Sequence, residues 1–488
     1  MITKAIHKRF TSFAIIFLLI FIALYIENGY FNITGAKYRA LIISMAVLIL
    51  PMLFFFTYRL IKRNKYEKMP ICISEAALIG FAVVSIISSL LSERISESFW
   101  GSNGWRIGAF TICLLAFLYF FLSRSLEYNQ NIWLPVMAVN LILFILGILQ
   151  FARLDFTGMH DHIMPKQYYQ YISTLGNTNW VAGYLCLIIP MIFVFFLLAK
   201  NKSSFTVNLV FLIFAFSNLL LCISDGAYIG LGFCAFFAVP FIFADKTRIK
   251  RTLLLLSILF FEAVIIGILP CYQGLFERIS GISGVILDLR ISLPAFILFS
   301  ILYIFVLLSK KDSKRLRIGL CIGFESLLFL AVAGFFVYTA ITFSDDFGSS
   351  RGAIWRVSFE NFSRYSLKEK LIGIGPELLR QEYEELQMST RFKGLAILSS
   401  HSEPIQALVT MGILGVGLWF AMFIGVFKEI KKATPHSFAF VLGIAAYFGQ
   451  SFVNSATVLN LTLLCIMFAM YRITAKSGHR PAFIMQFF

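Results

Sequence analysis

Three short stretches in the C-terminal third of the 488-residue chain carry residue types that could do chemistry. The first is Gly348, Ser349, Ser350, Arg351 and Gly352, ahead of Ile354 to Tyr365. In that segment Trp355, Phe359 and Phe362 recur at helical spacing, and Arg356, Glu360 and Arg364 follow at i, i+4 on the opposite face. Serines before an amphipathic helix predict an N-cap, and a helix N-terminus attracts anions. Arg351 beside it could clamp a diphosphate through two parallel hydrogen bonds, or pair with Asp345 or Asp346. The second stretch, Gly373-Ile374-Gly375-Pro376, predicts a tight turn into a short helix over Glu377 to Leu386. Glu377 either caps that helix or lines a site. The third, Ser399 to Pro404, places His401 and Glu403 just before a long apolar run. The helix dipole disfavours imidazolium and Glu403 favours it, so His401 is either poised for proton transfer near neutrality or is a polar cap.

Other polar groups are weaker candidates. The stretch Ser92 to Arg106 mixes Phe99, Trp100, Trp105 and Arg106, an interfacial aromatic belt with a cation. Ala152 to Asn179 contains His160, Asp161 and His162 with Tyr168, Tyr169 and Tyr171, a thin basis for a metal site. Glu262 and Glu325 fall inside apolar runs, where carboxylates are either functional or held protonated between helices.

What must position these residues is a membrane scaffold. The chain is 59% hydrophobic and 14% charged, with a mean hydropathy of +0.83, which excludes a water-soluble enzyme and disordered or coiled-coil classes. Fourteen apolar runs approach the roughly 20 residues that cross a bilayer. They lie at about Thr11–Ile26, Ala40–Ile61, Ile73–Leu91, Ile107–Leu122, Ile132–Phe151, Trp180–Ala199, Phe205–Ile223, Ala227–Phe243, Thr252–Leu269, Ile291–Leu308, Ile318–Ile341, Pro404–Phe427, Ser437–Val453 and Val458–Tyr471. Backbone amides in lipid must bond within their own segment, so the expected class is an all-α polytopic helical bundle with one large structured loop, Thr342 to Glu403. The bent segment Pro270 to Arg290 is expected to dip into the interface.

Of the 42 Lys and Arg, 26 fall on the N-terminal side of the alternating loops and 16 on the other, eight of those 16 within the long loop. The short-loop comparison is therefore 26 to 8, which makes both termini cytoplasmic and the long loop outward-facing. Topogenic clusters such as Lys246 to Arg251 and Lys310 to Arg317 account for the net charge of +17, so no nucleic-acid partner is expected. The basic start followed by an apolar run has no small-residue cleavage site and reads as a retained first helix. Six cysteines fall in spans, Cys72 at an edge and Cys271 alone outside, which gives no disulfide framework.

Taken together, the motifs resemble the O-antigen ligase and polymerase family of bacterial membrane glycosyltransferases. In family order these are Gly176-Asn177-Thr178-Asn179-Trp180, Ser350-Arg351-Gly352 with Trp355, Gly373-Ile374-Gly375-Pro376, and His401 running into Gly412-Ile413-Leu414-Gly415. The likeness covers residues 176–472, after N-terminal helices over 1–175 and before a cytoplasmic tail over 473–488; the loop 342–403 would be catalytic. It implies an undecaprenyl-diphosphate-linked oligosaccharide donor, a glycan or lipid acceptor, and inverting transfer outside the cytoplasmic membrane without metal or other cofactor. His401 and Glu403 would be catalytic, and Arg351, Arg356, Arg106, Arg290, Trp355, Glu377, Asn177 and Asn179 would bind substrate. One position departs: Asp225, in Ser224-Asp225-Gly226, stands where many ligases of this family carry arginine, so Arg106, Arg290 or Arg356 would have to supply a second cation. The alternative is a flippase for lipid-linked glycans, a class marked by internal repeats that this chain lacks.

Overall fold

A computed structural model describes residues 2–61, 70–101, 105–125, 130–161, 163–269, 279–383 and 397–476. The helices in chain order are α1 (Ile2–Leu24), α2 (Ile33–Ile61), α3 (Ile73–Leu90), α4 (Ile95–Trp100), α5 (Ala109–Ser125), α6 (Trp133–Phe151), α7 (Thr178–Leu198), α8 (Lys202–Leu221), α9 (Asp225–Phe243) and α10 (Lys246–Ile268). After them come α11 (Gly281–Leu287), α12 (Leu289–Leu308), α13 (Lys314–Thr342), α14 (Phe347–Arg364), α15 (Leu367–Ile372), α16 (Leu379–Glu382), α17 (Glu403–Lys428), α18 (Pro435–Ser451) and α19 (Val458–Lys476). Among the described residues, β structure is one antiparallel pair, β1 (Tyr171–Ile172) with β2 (Gly176–Asn177), in register Tyr171 to Asn177.

Each of the fourteen expected runs corresponds to a helix, with most ends shifted by a few residues and the start of α1 lying at Ile2 rather than Thr11. Eleven are long and apolar enough to cross a membrane; Arg9–Leu24 and Ala109–Arg124 are shorter apolar helices. The fourteenth, α18, has every residue from Ser437 to Ser451 buried. It is wedged between α7 and α9, where Gly230 and Gly443 let the backbones close: a Cβ on Gly443 would lie 2.5 Å from the Leu187 carbonyl oxygen. By contrast α12 and α13 expose nearly all of their length. The segment after Leu269 is described only from residue 279, where α11 and the start of α12 follow.

Several basic residues close helix ends. Arg251 donates to the carbonyls of Leu197 (2.7 Å) and Ala199 (2.8 Å) at the end of α7, and Arg248 to Phe241 (3.1 Å) at the end of α9. Lys37, fully buried, does the same for α1 through Ile22, Ala23 and Tyr25. The last carbonyls of a helix lack intrahelical partners, so a cation there satisfies both hydrogen bonding and the dipole.

Candidate functional site

The site is organised by a break in α17. Gly412 has φ 68° and ψ −168°, a backbone conformation open essentially to glycine alone. The interruption frees the carbonyls of Val409 and Thr410, which accept from Ile374 N (3.4 Å) and Gly375 N (3.0 Å), while Ser88 Oγ also donates to Thr410 O. The Gly-Ile-Gly-Pro stretch therefore threads against the half-helix that carries Glu403. Gly373 and Gly412 permit this approach: a Cβ on the first would lie 2.1 Å from the Thr410 carbonyl, and on the second 2.3 Å from the carbonyl carbon of Leu371.

Past this junction Glu377 has φ 66° and cannot begin a right-handed helix. Of the expected helix over Glu377 to Leu386, the described residues form α16, four residues long; residues 384–396 lie outside the described set. Glu377 instead turns inward and accepts from Trp105 N (2.5 Å) and Ile107 N (3.2 Å), joining the loop after α4 to the long loop. Burial pushes its carboxyl up to about 7 against the pull of these amides and of Arg106. Arg106, itself at φ 65°, thus lies beside Glu377 rather than beside Arg351.

Arg351 follows three consecutive left-handed residues, Gly348, Ser349 and Ser350. The expected serine cap is absent, because this reversal hands the first amides of the helix to backbone oxygens: Ser350 N bonds Asp346 O and Ala353 N bonds Asp345 O. Arg351 forms no ion pair with Asp345 or Asp346. Its guanidinium donates to Gly348 O (3.0 Å) and to Asn454 Oδ1 (3.2 Å), while its Nε and the Asn454 Nδ2 are buried without partners. Burial lowers the Arg351 pKa and the negative charge of Asp225 opposes that. Asp225 is tied down by Ile282 N (2.8 Å), and its neighbour Ser224 donates to Asn179 Oδ1 (2.8 Å). Asn177 accepts from Asn179 N, capping α7. The Gly-Asn-Thr-Asn and Ser-Asp-Gly motifs therefore meet around Arg351 and Asn454.

His401 sits at φ 51° in the same neighbourhood. Burial lowers its pKa to about 4, aided by the charge of Arg351. That corrects the expectation of a group balanced near neutrality by Glu403. Trp355 positions the segment by donating from Nε1 to Ser400 O (2.9 Å), and His401 N donates to Ser399 Oγ (3.1 Å). Glu403 faces away, into the bundle, where it accepts from Tyr447 OH (2.5 Å) and Trp419 Nε1 (3.3 Å). It forms no hydrogen bond to His401.

Two expected substrate cations are elsewhere. Arg356 is bidentate to Asp345 (2.9 Å to each oxygen) and bonded to Glu360 (2.9 Å), at the surface. Arg290 is 89% exposed and paired with Asp288 (2.6 Å). His160 is a structural residue: its Nδ1 lies 3.0 Å from Asp155 Oδ2 and its ring contacts Tyr30 and Tyr168. His162 lies outside the described residues, and among those described no three His, Cys, Asp or Glu converge.

Sequence reasoning missed Asn454, Tyr447, Trp419 and Gln406. Asn454 and Ser455 lie in the turn between α18 and α19, where polar residues pass as ordinary turn formers; the only signal was the topology expected from the basic residues, which puts this turn on the same side as His401. Beside the cluster, and separated from it by the Ser399–Ser455 hydroxyl pair (2.5 Å), a cavity of about 170 Å³ opens between α3, α5, α17 and α19. No family model matches the chain, and no curated protein matches it significantly.

Proposed function

We propose that the chain is a multi-pass membrane glycosyltransferase that transfers or polymerises undecaprenyl-diphosphate-linked glycans at the outer face of the cytoplasmic membrane, with both termini inside. The observation that carries this reading is the half-buried Arg351 guanidinium, whose Nε lacks a partner, beside His401 and the unpartnered Nδ2 of Asn454. Unsatisfied buried donors are costly, and a bound anion supplies the missing acceptors. The motif resemblance and the bias of basic residues in the short loops point the same way.

In this reading an acceptor hydroxyl attacks the anomeric carbon of the donor, the bond from that carbon to the diphosphate oxygen breaks, and the diphosphate leaves with the bonding pair. Arg351 and Asn454 stabilise the charge gained by the leaving group. The hydroxyl proton passes to neutral His401. Arg351 contributes to holding the imidazole weakly basic, so an anionic diphosphate that offsets the guanidinium charge strengthens the base when the donor is bound. Asp225 sets Arg351 against a fixed carboxylate and limits how much negative charge the site tolerates.

The test is transfer by the purified protein from a polyprenyl-diphosphate oligosaccharide, alongside gel sizing of the surface glycan after deletion of the gene. Loss of polymer, or polymer stranded on the lipid carrier, supports polymerase or ligase activity respectively; an unchanged glycan profile and no transfer in vitro would overturn the proposal.

A further inference from the structure

The cavity beside the cluster has a chemistry opposite to that of the Arg351 site. Its outer end is bordered by Trp105, Glu377, Ser399, Glu403, Gln406 and Ser455, with two carboxylates and no Lys, Arg or His among the lining residues. Below that rim the wall is almost wholly apolar, with Leu78, Phe81, Leu115, Met422, Phe423 and Phe468 facing in from four helices. Along α17 the lining extends from Glu403 to Phe423, on both sides of the break at Gly412.

At the far end the lining residues Ser74 and Tyr119 abut a charged cluster. Glu75, whose side chain is fully buried, binds Arg124 (2.9 Å) and Tyr119 OH (3.0 Å) and lies 3.5 Å from Arg472, which also approaches Glu429 (3.9 Å). These residues come from α3, α5, α19 and the end of α17, the same four helices that form the walls. A cavity with apolar walls drawn from four helices and a charged cluster at its far end fits a chain-shaped ligand inserted from the outer side, not a path across the membrane.

The rim identifies the head group. Trp105 Nε1 is buried and has no partner, leaving a free donor beside the Glu377 carboxylate that its own backbone amide binds. A hydroxyl satisfies both kinds of group at once, accepting from an indole N–H and donating to a carboxylate. A phosphate or carboxylate head would face Glu377 and Glu403 with no cation in the lining to offset it.

We infer that the cavity between α3, α5, α17 and α19 is a binding site for a single-chain lipid with an uncharged hydroxyl head, distinct from the Arg351 site. Resting on the transferase reading, it is where an acceptor lipid places its hydroxyl within reach of the His401 segment. The Ser399–Ser455 pair is the boundary between the acidic rim and the cationic cluster.

The experiment uses the purified full chain in nanodiscs and terminally brominated dodecanol, with brominated dodecyl phosphate as the charged counterpart. Bromine quenches nearby indoles, and Trp105 and Trp419 both line the cavity. The alcohol is expected to quench saturably, with at least ten-fold weaker binding of the phosphate. Trp419→Phe removes part of the quenched signal, and Ala456→Leu, which fills the slot, weakens alcohol binding by at least ten-fold. Equal binding of alcohol and phosphate, or quenching unaffected by Ala456→Leu in a variant with wild-type thermal stability, overturns the inference. Binding is read without turnover, so alcohol binding with no glycosyl transfer defeats only the transferase reading, and transfer with no alcohol binding defeats only this site.

Discussion

Replacing Gly412 by alanine tests whether the break in α17 holds the candidate site together. At φ 68° and ψ −168° an alanine is held in a region open essentially to glycine, at a cost of about 1–3 kcal/mol. Its Cβ would also lie 2.3 Å from the carbonyl carbon of Leu371 and 2.5 Å from Ile372 N, backbone atoms that cannot swing aside. Forcing such overpacking costs about another 1–3 kcal/mol. The sum, about 2–6 kcal/mol, is a large share of the roughly 5–15 kcal/mol by which a typical domain is stable. Gly417 lies five residues on in the same helix, with open space where its Cβ would go. Alanine there removes only glycine's helical entropy penalty and stabilises by about 0.5–1 kcal/mol. Thermal unfolding of the two purified variants in one detergent is the assay: Gly412→Ala melts well below the parent and Gly417→Ala at or above it. Equal melting temperatures for the two variants would refute the account of α17, and with it the claim that Gly373 and Gly412 seat the long loop on the half-helix bearing Glu403.

Arg351→Lys retains charge but loses the planar fork, and donor-lipid binding and transfer should both collapse while membrane insertion is normal; near-parental transfer would reject the diphosphate role. His401→Ala should lower transfer on the order of 100-fold with donor binding largely kept, measured separately on one preparation. The folded His401 has a pKa of about 4 against about 6.5 unfolded, so the unfolded chain takes up more protons between those values and stability falls as pH drops from 6.5 to 4. The loss approaches about 3 kcal/mol, read as a fall in melting temperature that is smaller in His401→Gln. Glu75→Gln strips a buried carboxylate from Arg124 and Arg472 and should destabilise by about 3–5 kcal/mol in the same melting assay; an unchanged midpoint would show that the cavity floor is not held by charge.

The helices were legible because lipid leaves the backbone no alternative to intrahelical bonding, so apolar run length alone reads them out. Arg351 and His401 were legible because ionisable groups are scarce in a chain that is 14% charged. What spacing could not give was direction. Arg351 and Arg356 are five residues apart on one helix, about 140° around its axis, so one reaches Asn454 while the other meets Asp345 at the surface. Glu403 follows His401 by two residues and faces the opposite way. The pairing of Gly373 with Gly412, and of Glu377 with the amides of Trp105 and Ile107, depends on contacts between segments far apart in the chain, which no local pattern encodes.

Helix α18 bears on how the protein is made. At 17 residues it is shorter than any of the eleven helices long enough to cross a membrane, and it is almost entirely covered by neighbours. Such a segment gains little by partitioning alone from the translocation machinery into hydrocarbon, since its stability comes from contact with α7 and α9, which are synthesised more than 190 residues earlier. Biogenesis must therefore keep a gap between α7 and α9 open until the C-terminal helices emerge. Loss of the last hairpin would leave the early helices inserted yet centred on a vacancy, a species for membrane quality control rather than a partly active protein.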